Sequence, residues 1–178
     1  MINIIEKLNK ILNEYNKGNK NIAYKKFKKI FLQNKNNPKI RFNLAVMQHE
    51  LGIIEDAKNN YIFLINNNSH LKSKINLCNI YINQGLFNEA LILNNNILKE
   101  NSNLSNIVQD KIYILYKLKK YNEVIHIYNS LNEKEKFNIN ILNNLGLSNF
   151  FLKNYEDSEK ILLEAYKIDK KNILVLNS

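Results

Sequence analysis

Apolar residues return along this chain every three or four positions, the period of a helix and not of a strand. The opening MINIIEKLNKILNEY already alternates apolar and charged residues at that spacing, and the stretch Asn143 to Ala165 shows it most clearly. There the pattern predicts two short amphipathic helices. The first carries Leu145, Gly146, Asn149 and Phe150; a turn follows at Lys153 and Asn154. The second opens at Tyr155 and sets Ser158, Leu162 and Ala165 on one face at i, i+4 and i+7. Two of those three are small, so a neighbouring helix can approach closely.

The same unit recurs. From Ser158, steps of 34, 34, 33 and 34 residues towards the N-terminus land on Val124, Ala90, Ala57 and Ala23. Phe87, Tyr121 and Tyr155 each precede their anchor by three. Gly18, Gly52 and Gly85 lie five before theirs, where a tight turn between helices falls, and Lys119 and Lys153 take that place later. Gly146 lies twelve before its anchor, at a position suited to a helix crossing. A fixed period of this length is the mark of a stacked repeat, in which each unit buries its apolar face against its neighbours.

Leu44-Ala45 with Gly52, Ala57, Tyr61 and Leu64; Leu77-Cys78 with Tyr81, Gly85, Phe87 and Ala90; Leu145-Gly146 with Tyr155, Ser158, Leu162 and Ala165; and Pro38 at a boundary together resemble the tetratricopeptide repeat. The family's helix-A tryptophan is missing, most boundary prolines are absent, and Lys111-Ile112 replaces Leu-Gly in the fourth unit. The resemblance implies an all-α, right-handed α-solenoid of about five antiparallel helix-turn-helix repeats in a single domain. The units run over about 4–37, 38–70, 71–104, 105–138 and 139–172, with 173–178 starting a sixth. Apolar Ile173 to Leu176 make a poor polar cap, so the chain is read as the front of something longer or as covered by another chain.

Composition narrows the functions. One proline and four glycines leave little for long loops or a glycine-rich phosphate cradle. Asparagine forms about a fifth of the chain, far above ordinary usage. Asparagine, lysine and isoleucine share A/T-rich codons, so base composition accounts for much of it. The longest apolar runs fall short of the ~20 residues that a membrane helix needs, and no signal-peptide pattern opens the chain. Cys78 is the single cysteine, which removes an intrachain disulfide and a thiolate metal cluster. The expected setting is cytoplasmic.

Candidate chemistry is sparse. His49, His70 and His126 have no partner at metal-ligand spacing, Cys78 sits at a small core position, and Glu156-Asp157 suit the first turn of a helix. Glu133 and Glu135 read as solvated charge near an inter-unit turn. No nucleophile elbow, phosphate loop or dinucleotide fingerprint occurs. The expectation is a protein without catalytic, cofactor or metal residues. Beside a net charge of +10, two lysine clusters stand out. Lys25, Lys26, Lys28 and Lys29 flank Phe27 and Ile30 as a wet helix face, and Lys117, Lys119 and Lys120 lie at a turn. Neither cluster shows the interleaved exposed aromatics of a single-strand binder. An acidic protein or membrane surface ranks behind plain solvation, and nucleic acid ranks last.

In the tetratricopeptide family helix A lines a concave surface, so the residues before the core leucine point into it. Here these are Asn9, Asn43, Asn76, Asp110 and Asn144. A carboxamide can donate to a carbonyl and accept from an N–H at once, which suits capture of an extended peptide. The row is similar to the asparagine ladder in the repeat domain of protein O-GlcNAc transferases. Lys39, Phe42, Lys72, Asn79, Gln109, Tyr113, Asn140, Asn143 and Phe150 are expected to flank it. The places of the paired basic and amide residues of a chaperone-tail clamp are held by Leu8 and Leu12, or by Phe42 and Val46. The leading reading is a module that binds a protein or extended peptide. The alternatives are the recruiting front of a glycosyltransferase- or sulfotransferase-type enzyme, and a scaffold that self-associates through Ile173 to Leu176.

Overall fold

The structure is a computed structural model describing residues 4–101 and 104–168. The expectation about Ile173 to Leu176 lies outside the described residues. Eleven helices occur among the described residues: α1 (Ile4–Asn16), α2 (Lys20–Gln33), α3 (Pro38–Glu50), α4 (Ile54–Asn68), α5 (Leu71–Asn83), α6 (Phe87–Glu100), α7 (Ser105–Lys117), α8 (Tyr121–Ser130), α9 (Glu133–Lys136), α10 (Ile139–Phe151) and α11 (Tyr155–Ile168). Ten of them follow one another as five helix-turn-helix pairs. The chain groups into two compact units, Met1–Ile80 and Tyr81–Ser178.

The turns inside the pairs are built alike. At each, the residue at the turn position adopts positive φ: +98° at Gly18, +75° at Gly52, +72° at Gly85, +60° at Lys119 and +66° at Lys153. Its N–H donates three residues back, and the next N–H donates five residues back, as in Lys119 to the Tyr116 carbonyl (2.9 Å) and Lys120 to that of Leu115 (2.9 Å). This left-handed helix ending satisfies carbonyls that the helix would otherwise leave bare. Glycine adopts it freely; lysine does so against a steric cost. Asparagine side chains set the starts of α3 and α10. The Asn37 side chain accepts from the N–H groups of Lys39 (3.0 Å) and Ile40 (3.2 Å), with Pro38 at the first turn, where it loses no bond. Asn138 does the same for Asn140 (2.9 Å) and Ile141 (3.3 Å).

The anchors are core. Ala23, Ala57, Ala90 and Val124 are fully buried and Ser158 nearly so. The core of the first unit joins Ile11 and Tyr15 of α1, Ala23, Phe27 and Ile30 of α2, and Ile40, Leu44 and Met47 of α3. In the second, Ile112 and Leu115 of α7 pack with Val124 of α8 and with Ile141 and Leu145 of α10. Gly146 sits where α10 meets α11. A Cβ there would lie 2.6 Å from Leu162 Cγ, and the Ser158 hydroxyl donates to the Gly146 carbonyl at 2.8 Å. Small residues at this crossing are therefore a requirement of close approach.

Two features go beyond the sequence reading. Helix α9 is an additional one-turn helix, closed by a reciprocal cap in which Asn132 accepts from the Glu135 N–H and Glu135 accepts from that of Asn132. Glu133 is indeed exposed and pairs with Lys136 at 2.9 Å, but Glu135 is a capping residue and not free charge. The Asn-x-x-Glu spacing carried that signal. The second is Arg41, the single arginine. Its guanidinium lies 5.0 Å from the Phe31 ring and 3.8 Å from the Phe63 ring, and donates to Asn60 Oδ1 (2.7 Å) and the Lys35 carbonyl (2.8 Å). Asn60 in turn donates to buried Gln48 at 2.8 Å. One planar cation thus ties α2, α3 and α4 together.

Candidate functional site

In the second unit, the first helices of two successive pairs, α7 and α10, face each other across a cavity of about 250 Å³. Helix α7 contributes Gln109, Asp110, Tyr113, Tyr116 and Lys117, spaced so that all fall on one side of the helix. Helix α10 contributes Asn140, Asn143, Asn144 and Leu147. Six residues expected at a peptide-binding surface therefore meet in one place: Gln109, Asp110, Tyr113, Asn140, Asn143 and Asn144.

Their states differ. Asn143 is 3% exposed, and neither its amide nitrogen nor its oxygen has a hydrogen-bond partner in the protein. A buried carboxamide without partners is costly, and native proteins rarely keep one. Asn144 is half-buried and donates back to the Asn140 carbonyl at 2.8 Å. Gln109 accepts from the Asn138 amide at 3.0 Å. Burial raises the Asp110 carboxyl above its ordinary range, because desolvation penalises its charged form. Lys117 Nζ lies 5.4 Å from the Tyr113 ring centre and 5.7 Å from that of Tyr116. The cavity thus has aromatic and leucine walls, a lysine and a carboxylate on its lining, and an unpartnered amide.

The other expected residues lie elsewhere. In the first unit Asn9 is exposed on α1, while Asn43 on α3 and Asn76 and Asn79 on α5 are half-buried. Asn76 donates to the Tyr61 hydroxyl at 3.0 Å; burial pushes that hydroxyl up to about 12, the Asn76 bond opposing the shift. Lys39 and Lys72 are exposed. Phe42 packs on His70, ring centres 4.8 Å apart, and stands 6.1 Å from Tyr61. Phe150 is 46% exposed but belongs to a different cluster, edge-on to Phe151 and Tyr155 at 5.7 Å each.

That cluster reaches the lysine turn. Tyr121 stacks on Phe151 with centres 5.1 Å apart and planes 9° from parallel, and Tyr116 tilts against both. Tyr116 and Tyr121 flank the turn that holds Lys119 and Lys120, and Lys117 lies near the Tyr113 and Tyr116 rings. Phe150, Phe151 and Tyr155 of this cluster come from α10 and α11, one repeat further along the chain, so local inspection of the lysine run could not reveal them.

The three histidines stay apart. His49 is half-buried, edge-on to Tyr61 at 6.5 Å; His126 is exposed on α8; and His70 Nδ1 lies 2.9 Å from the Ser73 hydroxyl and accepts from the Ser73 N–H at 3.2 Å. Cys78 is buried. No helix among the described residues is long and apolar enough to cross a membrane.

The paired helices, left-handed turns and small crossing residues define an all-α solenoid of the tetratricopeptide type. Solved structures share it. A tetratricopeptide repeat protein from Parabacteroides merdae ATCC 43184 aligns with a TM-score of 0.84 at 18% identity, over 96% of this chain and 68% of that one. YrrB, described as a TPR protein with an unusual peptide-binding site, aligns at 0.81 with 13% identity, over 96% and 88%. MamA from Desulfovibrio magneticus RS-1 aligns at 0.80 with 11% identity, over 92% and 93%. No curated protein matches the chain by sequence. The family model for the coatomer epsilon subunit matches residues 89–177, half of the chain, and the chain belongs to that TPR-like family.

Proposed function

We propose that this protein is a non-catalytic interaction module that binds a protein partner through an extended peptide laid against the first helices of its repeats. The carrying observation is the α7–α10 cavity, where Gln109, Asp110, Tyr113, Asn140, Asn143 and Asn144 converge around a buried amide with no protein partner. Carboxamides set in sequence along such a face can meet a peptide backbone with donors and acceptors together. The row Asn9, Asn43, Asn76, Asp110 and Asn144 is then a peptide-binding ladder, similar to that of protein O-GlcNAc transferases. Asn76 and Asn144 each spend one amide N–H inside the protein, which leaves each a second N–H and the side-chain oxygen.

The test is affinity capture with mass spectrometry, comparing the wild type with Asn43→Ala/Asn76→Ala/Asn144→Ala, after circular dichroism shows both equally folded. Partners retained by the wild type and lost by the triple variant support the ladder. An identical set of partners with both proteins rejects it.

A further inference from the structure

Charge in this protein is segregated. Residues 1–37, about a fifth of the chain, hold nine lysines against two glutamates, a net +7 of the total +10. A/T-rich codons would enrich lysine along the whole length, so base composition does not account for this concentration. Several of these lysines are engaged within the protein. Lys20 pairs with Glu50 at 3.2 Å and Lys26 with Glu14 at 2.7 Å, and Lys28 lies over the Tyr24 ring at 5.8 Å. Lys7 and Lys10 of α1 and Lys25 and Lys29 of α2 are exposed and have no such partner among the described residues. Lys7, Lys10 and Lys29 line one groove of about 930 Å³ between α1 and α2, with Lys26 beside them and Glu6 and Glu14 as its acids. The outermost stripe of α2 runs Ile22, Lys25, Lys29 and Leu32, at helical steps of three, four and three. Ile22 is 59% exposed and Leu32 54%. Two aliphatic side chains and two unpaired cations thus share one wet face, while Ala23, Phe27 and Ile30 of the same helix enter the core.

We infer that the outward face of α2, with Lys7 and Lys10 of α1, docks on an anionic lipid surface. The lysines reach the anionic headgroups on flexible stems, while Ile22 and Leu32 enter the boundary with the acyl chains. A bilayer fits this face better than another macromolecule for two reasons. A nucleic acid gives an exposed isoleucine and leucine nothing to bury against, and it stacks its bases on open rings; here Tyr24 and Phe31 are half-buried and Phe27 is fully buried. A protein interface draws on aromatic residues and arginine and is poor in lysine, whereas the single arginine, Arg41, is already held by the Phe31 and Phe63 rings. The surface is built on α2, the second helix of its pair, and does not depend on the proposed peptide-binding row.

The experiment is cosedimentation of the full chain with vesicles of phosphatidylcholine and phosphatidylserine in a two-to-one ratio, and with vesicles of phosphatidylcholine alone. Binding is expected to the first and not to the second, and it should weaken as salt rises. Each lysine near such a surface contributes about fivefold in partitioning, so Lys25→Gln/Lys29→Gln should bind about 25-fold more weakly. Both side chains are exposed, so circular dichroism should show the fold unchanged; Lys7→Gln/Lys10→Gln supplies a second pair with the same expectation. Lys134→Gln/Lys160→Gln removes the same charge from exposed positions in the unit Tyr81–Ser178 and should bind as the wild type does. Ile22→Ser/Leu32→Ser should weaken binding with the charge unchanged. The assignment is overturned by no binding to the anionic vesicles, or by equal losses from the α2 pair and the Lys134/Lys160 pair. It is equally overturned by no loss from Ile22→Ser/Leu32→Ser, or by tighter binding to polyglutamate or a single-stranded oligonucleotide than to the vesicles.

Discussion

Lysine occupies a conformation at two turns that glycine occupies at three. Lys119 and Lys153 hold φ of +60° and +66°, and their backbone hydrogen bonds match those at Gly18, Gly52 and Gly85. A side chain in the left-handed region costs about 1 kcal/mol. Lys119→Gly and Lys153→Gly should therefore each raise stability, by somewhat under that amount once the freer unfolded chain is counted. Gly52→Ala should lower it by a similar amount, through backbone strain alone, since open space surrounds the added methyl. Urea midpoints for the three variants check the sign at every position. The turn register was legible in sequence from the glycine spacing, and it placed the two lysines correctly. Arg41 was not legible: its ring partners Phe31 and Phe63 lie on other helices.

Helix ends show which elements respond to pH. At the start of α5, neutral His70 Nδ1 accepts from the Ser73 N–H, while the ring packs on Phe42. Burial, and then the charge of Lys72, hold its pKa below the ordinary 6.5. The folded state thus binds a proton less readily than the unfolded one. The stability this contributes is complete above pH 6.5 and is lost as pH falls through the lowered folded pKa. Thermal melts between pH 7.5 and 5 should show a fall in Tm that shrinks in His70→Asn, where the cap no longer titrates. A fall of the same size in that variant would place the pH dependence elsewhere. The helix periods and the helix starts at Pro38 and Tyr155 could be read locally. Helix α9 could also have been read, from Asn132 and Glu135; the charge of that stretch obscured its capping pattern.

For the whole molecule, repeat architecture makes stability a sum of local terms. Ala57 is fully buried in the unit Met1–Ile80, so Ala57→Leu should overpack that unit at a cost of about 1–3 kcal/mol. Hydrogen exchange should show protection falling more in that unit than in Tyr81–Ser178. An even loss across both would mean that the chain unfolds as one cooperative body. The candidate site was legible to a comparable degree. Register along α7 and α10 placed Gln109, Asp110, Tyr113, Asn140, Asn143 and Asn144 on facing helices. It did not show that Asn143 is the member buried without a partner, or that Phe150 turns away to a separate aromatic cluster.

What the sequence determined by itself is everything carried by short-range periodicity: ten paired helices, the positions of five tight turns, and small residues at the crossings such as Gly146 and Ser158. These follow from a few neighbouring residues and the geometry of one helix. The tertiary structure alone decided the burial of the Asn143 amide, the place of Arg41 between two rings, and the stacking of Tyr121 on Phe151 beside a lysine turn. Each depends on side chains tens of residues apart that meet only when successive helices pack, and a local pattern carries no record of which atoms that packing leaves without a partner.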